Sequence, residues 1–229
     1  MQQFFYSSKL NINDIAPLDK DILYQLKKVL RANDGYEFRL VDINQDIFLC
    51  ELLGENAKVI KDLKENNELD VDITVILSLI KNDKMDFALQ KLTELGVKRI
   101  VPYKAYRSVV KEGKGNNKLD RFKKIVREAS EQSHRNIIPE ICDYSDIKDL
   151  EKYKSELNLV AYEKNDDIVN DFKGHKSITL IIGPEGGFEL EEINKIIDMG
   201  YKPISLGKRI LRAETAAIYL SSIIVGANQ

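Results

Sequence analysis

From residue 71 onward, segments with the pattern of β-strands alternate with segments with the pattern of α-helices. The run DITVILSLI is apolar and rich in β-branched residues, as expected for a strand buried on both faces. It is followed by MDFALQKLTELG, in which Met85, Leu89, Leu92 and Leu95 recur at helical spacing before Gly96. This alternation predicts an α/β fold class with a parallel sheet covered by helices on both sides.

The alternation continues to the end of the chain. Further strands are predicted at VKRIVPY, LNLVAYE, SITLII and KPISLG. Helices are predicted at NNKLDRFKKIVREASEQ, at the Glu-rich segment after GPEGGF, and from about Glu214 to Val225. These elements place an α/β domain over residues 71–229.

Residues 1–70 have a different pattern. Short β-like runs, GYEFRLVD, DIFLCELLG and AKVIKDLK, accompany one helical segment, DKDILYQLKKVL. We expect a small β-rich module, of which a barrel is one form. The polar stretch KENNELD, Lys64 to Asp70, is the predicted linker.

Composition excludes several classes of protein and site. Hydrophobic residues make up 43% of the 229 residues and charged residues 31%, as in ordinary globular proteins. Cys50 and Cys142 lie far apart without metal-ligand spacing, so neither a disulfide framework nor a metal site is indicated. There is no signal-peptide pattern and no apolar run of about 18 residues. We therefore expect a cytoplasmic protein without a membrane partner.

The net charge of −2 conceals an uneven distribution. Lys81 to Arg135 contains 15 Lys and Arg against 7 Asp and Glu, whereas the remainder contains 20 against 30. The basic segment could contact a phosphate backbone, with Tyr103 and Tyr106 stacking on bases. A solvated helix face and a flexible loop at Lys111 to Lys118 account for the charge equally well.

Two loops follow predicted strands, where parallel sheets bind ligands. They are GPEGGF and LGKRILRAETAA, and the first matches neither GxGxxG nor GxxxxGK. Glu185, Glu189, Glu191 and Glu192 would repel a pyrophosphate, so a neutral or cationic ligand suits this loop better. Alternatively, the glycines serve only a tight turn and the glutamates only the helix N-terminus.

Taken together, IIGPEGGF and SLGKRILRAETA resemble the signature of the RsmE type of SPOUT-class RNA methyltransferases. The segments KKVLRANDGYEF, KNDKMDFALQKLTELGVKRIVPYKAYRSVVK and REASEQSHRNIIPEI are similar to other segments of that family, in the same order. The resemblance thus covers most of the chain.

The resemblance implies methylation of N3 of a uridine in small-subunit (16S) ribosomal RNA with S-adenosylmethionine as cofactor. It also implies a PUA-like RNA-binding β-barrel at residues 1–70, a SPOUT domain with a deep trefoil knot at 71–229, and a homodimer. The expected partner is 16S ribosomal RNA or the small ribosomal subunit. Two alternatives remain: ribose 2′-O-methylation, and a non-enzymatic RNA-binding assembly factor with the same fold.

The matching positions imply a set of cofactor-binding residues. S-adenosylmethionine carries a sulfonium cation and no phosphate, so acidic neighbours are tolerated, and glycines allow close backbone approach. The set comprises Leu159, Ala161, Ile182, Gly183, Glu185, Gly186, Leu206, Gly207, Ile210, Leu211 and Ala216.

Transfer to N3 also requires removal of a proton or stabilisation of the uracil anion. Arg212 is the expected stabiliser and Glu214 a candidate base. The alternatives are an Arg212–Glu214 ion pair and a helix-capping role for Glu214. The expected RNA contacts are Arg31, Lys84, Arg107, Ser108, Arg127, Gln132 and Arg135.

The chain departs from the family pattern at several positions. Gln2 and Gln3 precede the aromatic pair where a basic residue is often found, which puts one RNA contact in doubt. Ala213 replaces a usual Thr, and His134 replaces a frequent glycine. Glu189 stands where a Ser or Thr cap is expected, so no capping box with Glu192 is predicted.

Overall fold

The computed structural model describes residues 1–108, 117–165 and 172–229. The chain splits into two compact units. The first contains Met1–Glu68 and Ser130–Ile137, and the second contains Leu69–Ala129 and Ile138–Gln229. The first unit therefore includes a segment that the division at residue 70 assigns to the second domain.

A mixed five-stranded sheet forms the first unit, in the order β1-β3-β4-β5-β2. β1 is parallel to β3, and the remaining neighbours are antiparallel. The β-rich character predicted for this part of the chain is present as this sheet. Its strands are β1 (Gln3–Phe5), β2 (Ile15–Pro17), β3 (Glu37–Val41), β4 (Ile47–Leu53) and β5 (Asn56–Asp62).

One helical segment packs on the apolar face of this sheet. Helix α1 (Lys20–Tyr24) begins where the Asp19 side chain accepts a hydrogen bond from the Ile22 backbone at 2.8 Å. It continues as a π-helical turn, Gln25–Val29, whose Leu26 is fully buried in the core of this unit. The predicted helical segment is thus confirmed, with a change of helix type in its second half.

The second unit contains a six-stranded parallel sheet in the order β11-β9-β10-β6-β7-β8. The two-residue strand β8 was not predicted, because two residues show no periodicity. The other five strands lie where the sequence predicts them. The strands are β6 (Asp72–Ser78), β7 (Arg99–Tyr103), β8 (Glu140–Ile141), β9 (Leu157–Ala161), β10 (Ser177–Ile182) and β11 (Lys202–Ile204).

Hydrophobic cores lie on both faces of the parallel sheet, as the apolar strands predict. Leu77 and Leu180 belong to one core, which also contains residues of helices α2, α3 and α5. Ile76 and Ile181 belong to the other core, which also contains residues of α4 and a 3₁₀-helix.

No helix of the described ranges is long and apolar enough to cross a membrane. The helices are α2 (Asn82–Glu94), α3 (Asn117–Gln132), the 3₁₀-helix (Ile147–Tyr153), α4 (Leu190–Asp198) and α5 (Ala213–Asn228).

Both cysteines are buried free thiols with raised pKa values. Burial raises the pKa of Cys50 to about 12 and that of Cys142 to about 11. Because the thiolate is the reactive form, we expect both to react slowly with iodoacetamide at pH 8 in the native protein. Cys142 should react first as the pH rises, and both should react readily in urea. Mass spectrometry of the labelled peptides measures this, and rapid native labelling of Cys50 would contradict the burial.

Candidate functional site

Three loops of the second unit meet at one edge of its sheet. Since β11, β9 and β10 are adjacent and parallel, their carboxyl ends lie side by side. The following loops and the first turn of α5 enclose a cavity of about 360 Å³. Its lining residues are Ala161, Tyr162, Glu163, Ile182, Gly183, Pro184, Glu185, Gly186, Gly187, Phe188, Leu206, Gly207, Arg209, Ile210, Leu211, Arg212, Ala213 and Ala216.

The GPEGGF loop needs its glycines at two positions. A Cβ on Gly183 would lie 2.9 Å from the Phe188 ring, which is itself buried. Gly187 has a φ of +67°, and its N–H donates to the Pro184 carbonyl at 2.9 Å to close the turn. The loop therefore folds tightly onto its own phenylalanine and presents backbone to the cavity.

The loop after β11 forms another wall and leads into α5. Gly207 has a φ of +101°, in the region that favours glycine. Arg212 is the N-cap residue of α5, and its side chain makes no capping hydrogen bond. Ala213 and Ala216, in the first turn of α5, are small enough to leave the cavity open.

Ten of the eleven residues predicted to bind the cofactor line this cavity; the exception is Leu159. Leu159 is fully buried in the hydrophobic core, so its side chain does not form part of the wall. The pattern also did not single out Glu163, Phe188 and Arg209, which line the cavity. Glu163 and Phe188 are the last residues of the segments LNLVAYE and GPEGGF, so assigning every residue of each segment to the site would have found them.

The charges of the cavity lining are balanced. Glu163 and Glu185 supply two carboxylates, Arg209 and Arg212 supply two guanidinium groups, and the other lining residues are uncharged. The remaining surface is formed by glycines, alanines and aliphatic or aromatic side chains. Such a lining suits an organic ligand that carries both a positive and a negative group.

The two predicted catalytic residues lie in different environments. Arg212 is exposed and lines the cavity, and within the described ranges it forms no ion pair. Glu214 is 6% exposed, and its Oε1 lies 3.8 Å from Nζ of Lys84 on α2. The alternative of an Arg212–Glu214 pair is therefore not observed; the partner of Glu214 is Lys84, a predicted RNA contact.

The other predicted RNA contacts differ in exposure. Arg31, Arg107, Arg127 and Gln132 are exposed, and Ser108 is half-buried. Arg31 has a φ of +54° immediately after the helical segment of the first unit. Arg135 is buried at 3% exposure within the first unit and pairs with Glu68, so it is not available at the surface for RNA.

Comparison with known proteins gives a consistent result across the whole chain. A family model described as an RNA methyltransferase domain matches residues 67–225. The ribosomal RNA small subunit methyltransferase E of Bacillus subtilis is 32% identical over 247 aligned residues, covering 98% of this chain and 96% of the relative. The Buchnera aphidicola protein of the same name is 36% identical over 225 residues, covering 91% and 89%.

A solved structure agrees with these relatives. The ribosomal RNA small subunit methyltransferase E from Neisseria gonorrhoeae, bound to S-adenosyl methionine, has a TM-score of 0.89 and 28% sequence identity, with 97% of this chain and 95% of that chain covered. The resemblance carried by the two cavity loops is therefore confirmed over nearly the full length. The chain belongs to the ribosomal RNA small subunit methyltransferase E family.

Proposed function

We propose that this protein transfers a methyl group from S-adenosylmethionine to N3 of a uridine in 16S ribosomal RNA. The observation that carries the proposal is the cavity of about 360 Å³, whose lining includes the two loops that define the family resemblance. A ribosomal RNA substrate places the activity in the cytoplasm.

The residues present fit the proposed cofactor. The cavity volume lies within the range of small-molecule sites, about 300–1,000 Å³. A carboxylate such as Glu185 suits the sulfonium or the amino group, and a guanidinium such as Arg209 suits the cofactor carboxylate. When bound, S-adenosylmethionine supplies an electrophilic methyl group.

The protein then has two tasks: to align N3 with the methyl group, and to favour the deprotonated uracil. The Arg212 side chain is exposed at the cavity, where its guanidinium would stabilise charge on the uracil carbonyl oxygens. We retain Glu214 as the candidate base. Its ion pair with Lys84 also joins the start of α5 to α2, so a positioning role is compatible with the same contact.

Three architectural features implied by the family complete the proposal. We propose that the mixed sheet of the first unit is a PUA-like RNA-binding barrel, that the second unit is a SPOUT domain, and that its last segments form a trefoil knot. We also propose a homodimer. In support of a dimer, α5 is apolar along most of its length and exposes Tyr219 and Ile223, at 45% and 37%.

Replacing Gly183 with alanine is expected to weaken binding of S-adenosylmethionine by about 10–100-fold. The new Cβ would lie 2.9 Å from the Phe188 ring, and overpacking of this kind costs about 1–3 kcal/mol. Isothermal titration calorimetry measures the affinity. Gly226→Ala on α5 is the matched control, because its Cβ would meet nothing within 4 Å. Equal affinities for Gly183→Ala and the wild type would contradict the tight loop.

The proposed function is tested by nucleoside mass spectrometry of 16S ribosomal RNA from cells with and without the protein. We expect 3-methyluridine to disappear at one position in the deletion strain and to return when the purified protein and S-adenosylmethionine are added to its small subunits. A product methylated on ribose would replace the proposal with the 2′-O alternative. No detectable binding of S-adenosylmethionine in calorimetry would favour the non-enzymatic assembly factor.

A further inference from the structure

A buried carboxylate connects α4, which follows the GPEGGF loop, to the segment Tyr103–Ser108. Glu192 lies in the first turn of α4 and is fully buried. Its Oε1 accepts a hydrogen bond from the Tyr103 hydroxyl at 2.6 Å and another from the Tyr106 backbone N–H at 3.0 Å. One carboxylate oxygen thus fixes two points of a segment that is 86 residues or more away in the sequence.

Two hydrogen bonds and the position in the first turn of α4 hold the Glu192 carboxyl group in its buried site. Burial of a carboxyl group is costly unless hydrogen bonds and a helix N-terminus compensate. Oε1 of Glu192 accepts two hydrogen bonds near the start of α4, whereas Oε2, which is also buried, has no hydrogen-bond partner among the described residues. Burial first, and the hydrogen bond to Glu192 second, raise the pKa of Tyr103, so its hydroxyl remains a donor. The N-cap residue Glu189 makes no capping hydrogen bond with its side chain. The Glu192 carboxyl group, in the same turn, accepts its two hydrogen bonds from Tyr103 and Tyr106.

The segment that Glu192 fixes carries Arg107, and Arg107 contacts the cavity loop. Its Nη1 donates to the Gly186 carbonyl at 3.3 Å, and its Nε lies 3.4 Å from Oε1 of Glu189. The Arg107 side chain remains 51% exposed. The guanidinium of Arg107 is thus held by the loop on one side and is open to solvent on the other. Its exposed N–H groups are suited to bind a phosphate beside the cavity.

We infer that Glu192 is a positioning residue for RNA: through Tyr103 and Tyr106 it holds Arg107 against the Gly186 carbonyl, where the guanidinium contacts a phosphate of the substrate RNA. This inference rests on the proposed function, because it takes the ligand to be RNA. Glu192 itself touches neither RNA nor cofactor. Its contribution to RNA affinity acts entirely through the placement of Arg107.

This role differs measurably from a purely structural one. If Glu192 acts through Arg107, the effects of removing the two residues on RNA affinity do not add. In addition, loss of either residue removes the same phosphate contact, so each lowers the slope of log affinity against log salt by about one. A residue that only stabilises the fold is expected to leave the salt slope of the folded protein unchanged. Its effect on RNA affinity is also expected to add to that of Arg107→Ala.

The test measures binding of small ribosomal subunits that lack the modification, the substrate used in the activity assay, by filter binding at several salt concentrations. We expect Arg107→Ala, Glu192→Ala and the double variant each to weaken binding by about tenfold, with the double variant no weaker than Arg107→Ala. Tyr103→Phe removes one hydrogen bond and no charge, and it should weaken binding less. Asp198→Ala is the control, since Asp198 is an exposed carboxylate on the same helix.

Additive effects of Glu192→Ala and Arg107→Ala, or an unchanged salt slope in Glu192→Ala, would overturn the inference. If Glu192→Ala does not fold, Tyr103→Phe takes its place. Its effect on RNA affinity is then compared, alone and in combination, with that of Arg107→Ala. Methyl transfer is assayed in parallel, so that the two proposals fail separately. Non-additive RNA binding without methylation would reject the proposed function alone, whereas methylation with additive binding would reject the inference alone. A wild-type protein that does not bind these subunits would reject both.

Discussion

Replacing Arg212 with alanine is expected to lower kcat for methylation of 16S ribosomal RNA by about 10²–10³-fold, the usual effect of removing one group that stabilises a developing anion. Affinity for S-adenosylmethionine should remain nearly unchanged. The guanidinium lines the cavity, is exposed, and has no ion pair within the described ranges that would otherwise account for it. If Arg212 has the proposed role, its loss removes stabilisation of the uracil anion and breaks no ion pair among the described residues.

Steady-state kinetics with small subunits lacking the modification, together with calorimetry for the cofactor, provide the measurement. Arg212→Lys keeps the positive charge but loses the planar guanidinium group with its paired N–H donors. Its rate should therefore lie between those of the wild type and Arg212→Ala. Raising the pH should restore part of the rate of Arg212→Ala, because the substrate then ionises without assistance. Lys208→Ala is the control, since Lys208 is exposed in the same loop but does not line the cavity. A wild-type kcat for Arg212→Ala would remove Arg212 from the catalytic role.

The sequence predicted the parts of the site that depend on local rules. Apolar runs such as SITLII define strands, and the glycines of GPEGGF define a tight turn before a helix. In a parallel sheet these rules place both loops at one edge, so the cavity follows once the strands are neighbours. The acidic residues were informative as well, because they argued against a phosphate before any family resemblance was considered.

The pairing of charged side chains could not be predicted in the same way. Glu192 was considered as a helix-terminus residue, yet its carboxylate meets Tyr103 and Tyr106. An Arg212–Glu214 ion pair was one alternative for these residues, but Glu214 pairs with Lys84. Each of these contacts joins residues that are far apart along the chain, and a hydrophobic pattern carries no information on which polar groups meet across a sheet or between helices.

Arg135 was also predicted from the sequence as an RNA contact, yet its side chain is buried. Arg135→Ala is expected to lower the free energy of unfolding of the first unit by about 3–5 kcal/mol, because it leaves the largely buried Glu68 carboxylate without its partner. Nη2 of Arg135 lies 2.6 Å from Oε2 of Glu68, and Nε lies 3.3 Å from Oε1. Oε1 also accepts the backbone N–H of Asn136 at 2.9 Å. The Arg135 carbonyl in turn accepts the Gln3 side-chain amide at 2.8 Å.

These contacts explain why Ser130–Ile137 belongs to the first unit, and they give Gln3 a structural role where the family often has a basic residue. Urea unfolding followed by circular dichroism measures the change in Arg135→Ala. In the double variant Arg135→Met, Glu68→Leu the loss should be smaller than the sum of the single losses, since no charge is then left unpaired. The sequence-based expectation of an RNA contact predicts the opposite pattern for Arg135→Ala, with wild-type stability and weakened RNA binding. The buried position of the guanidinium favours the loss of stability, and the two measurements on one variant decide between these roles.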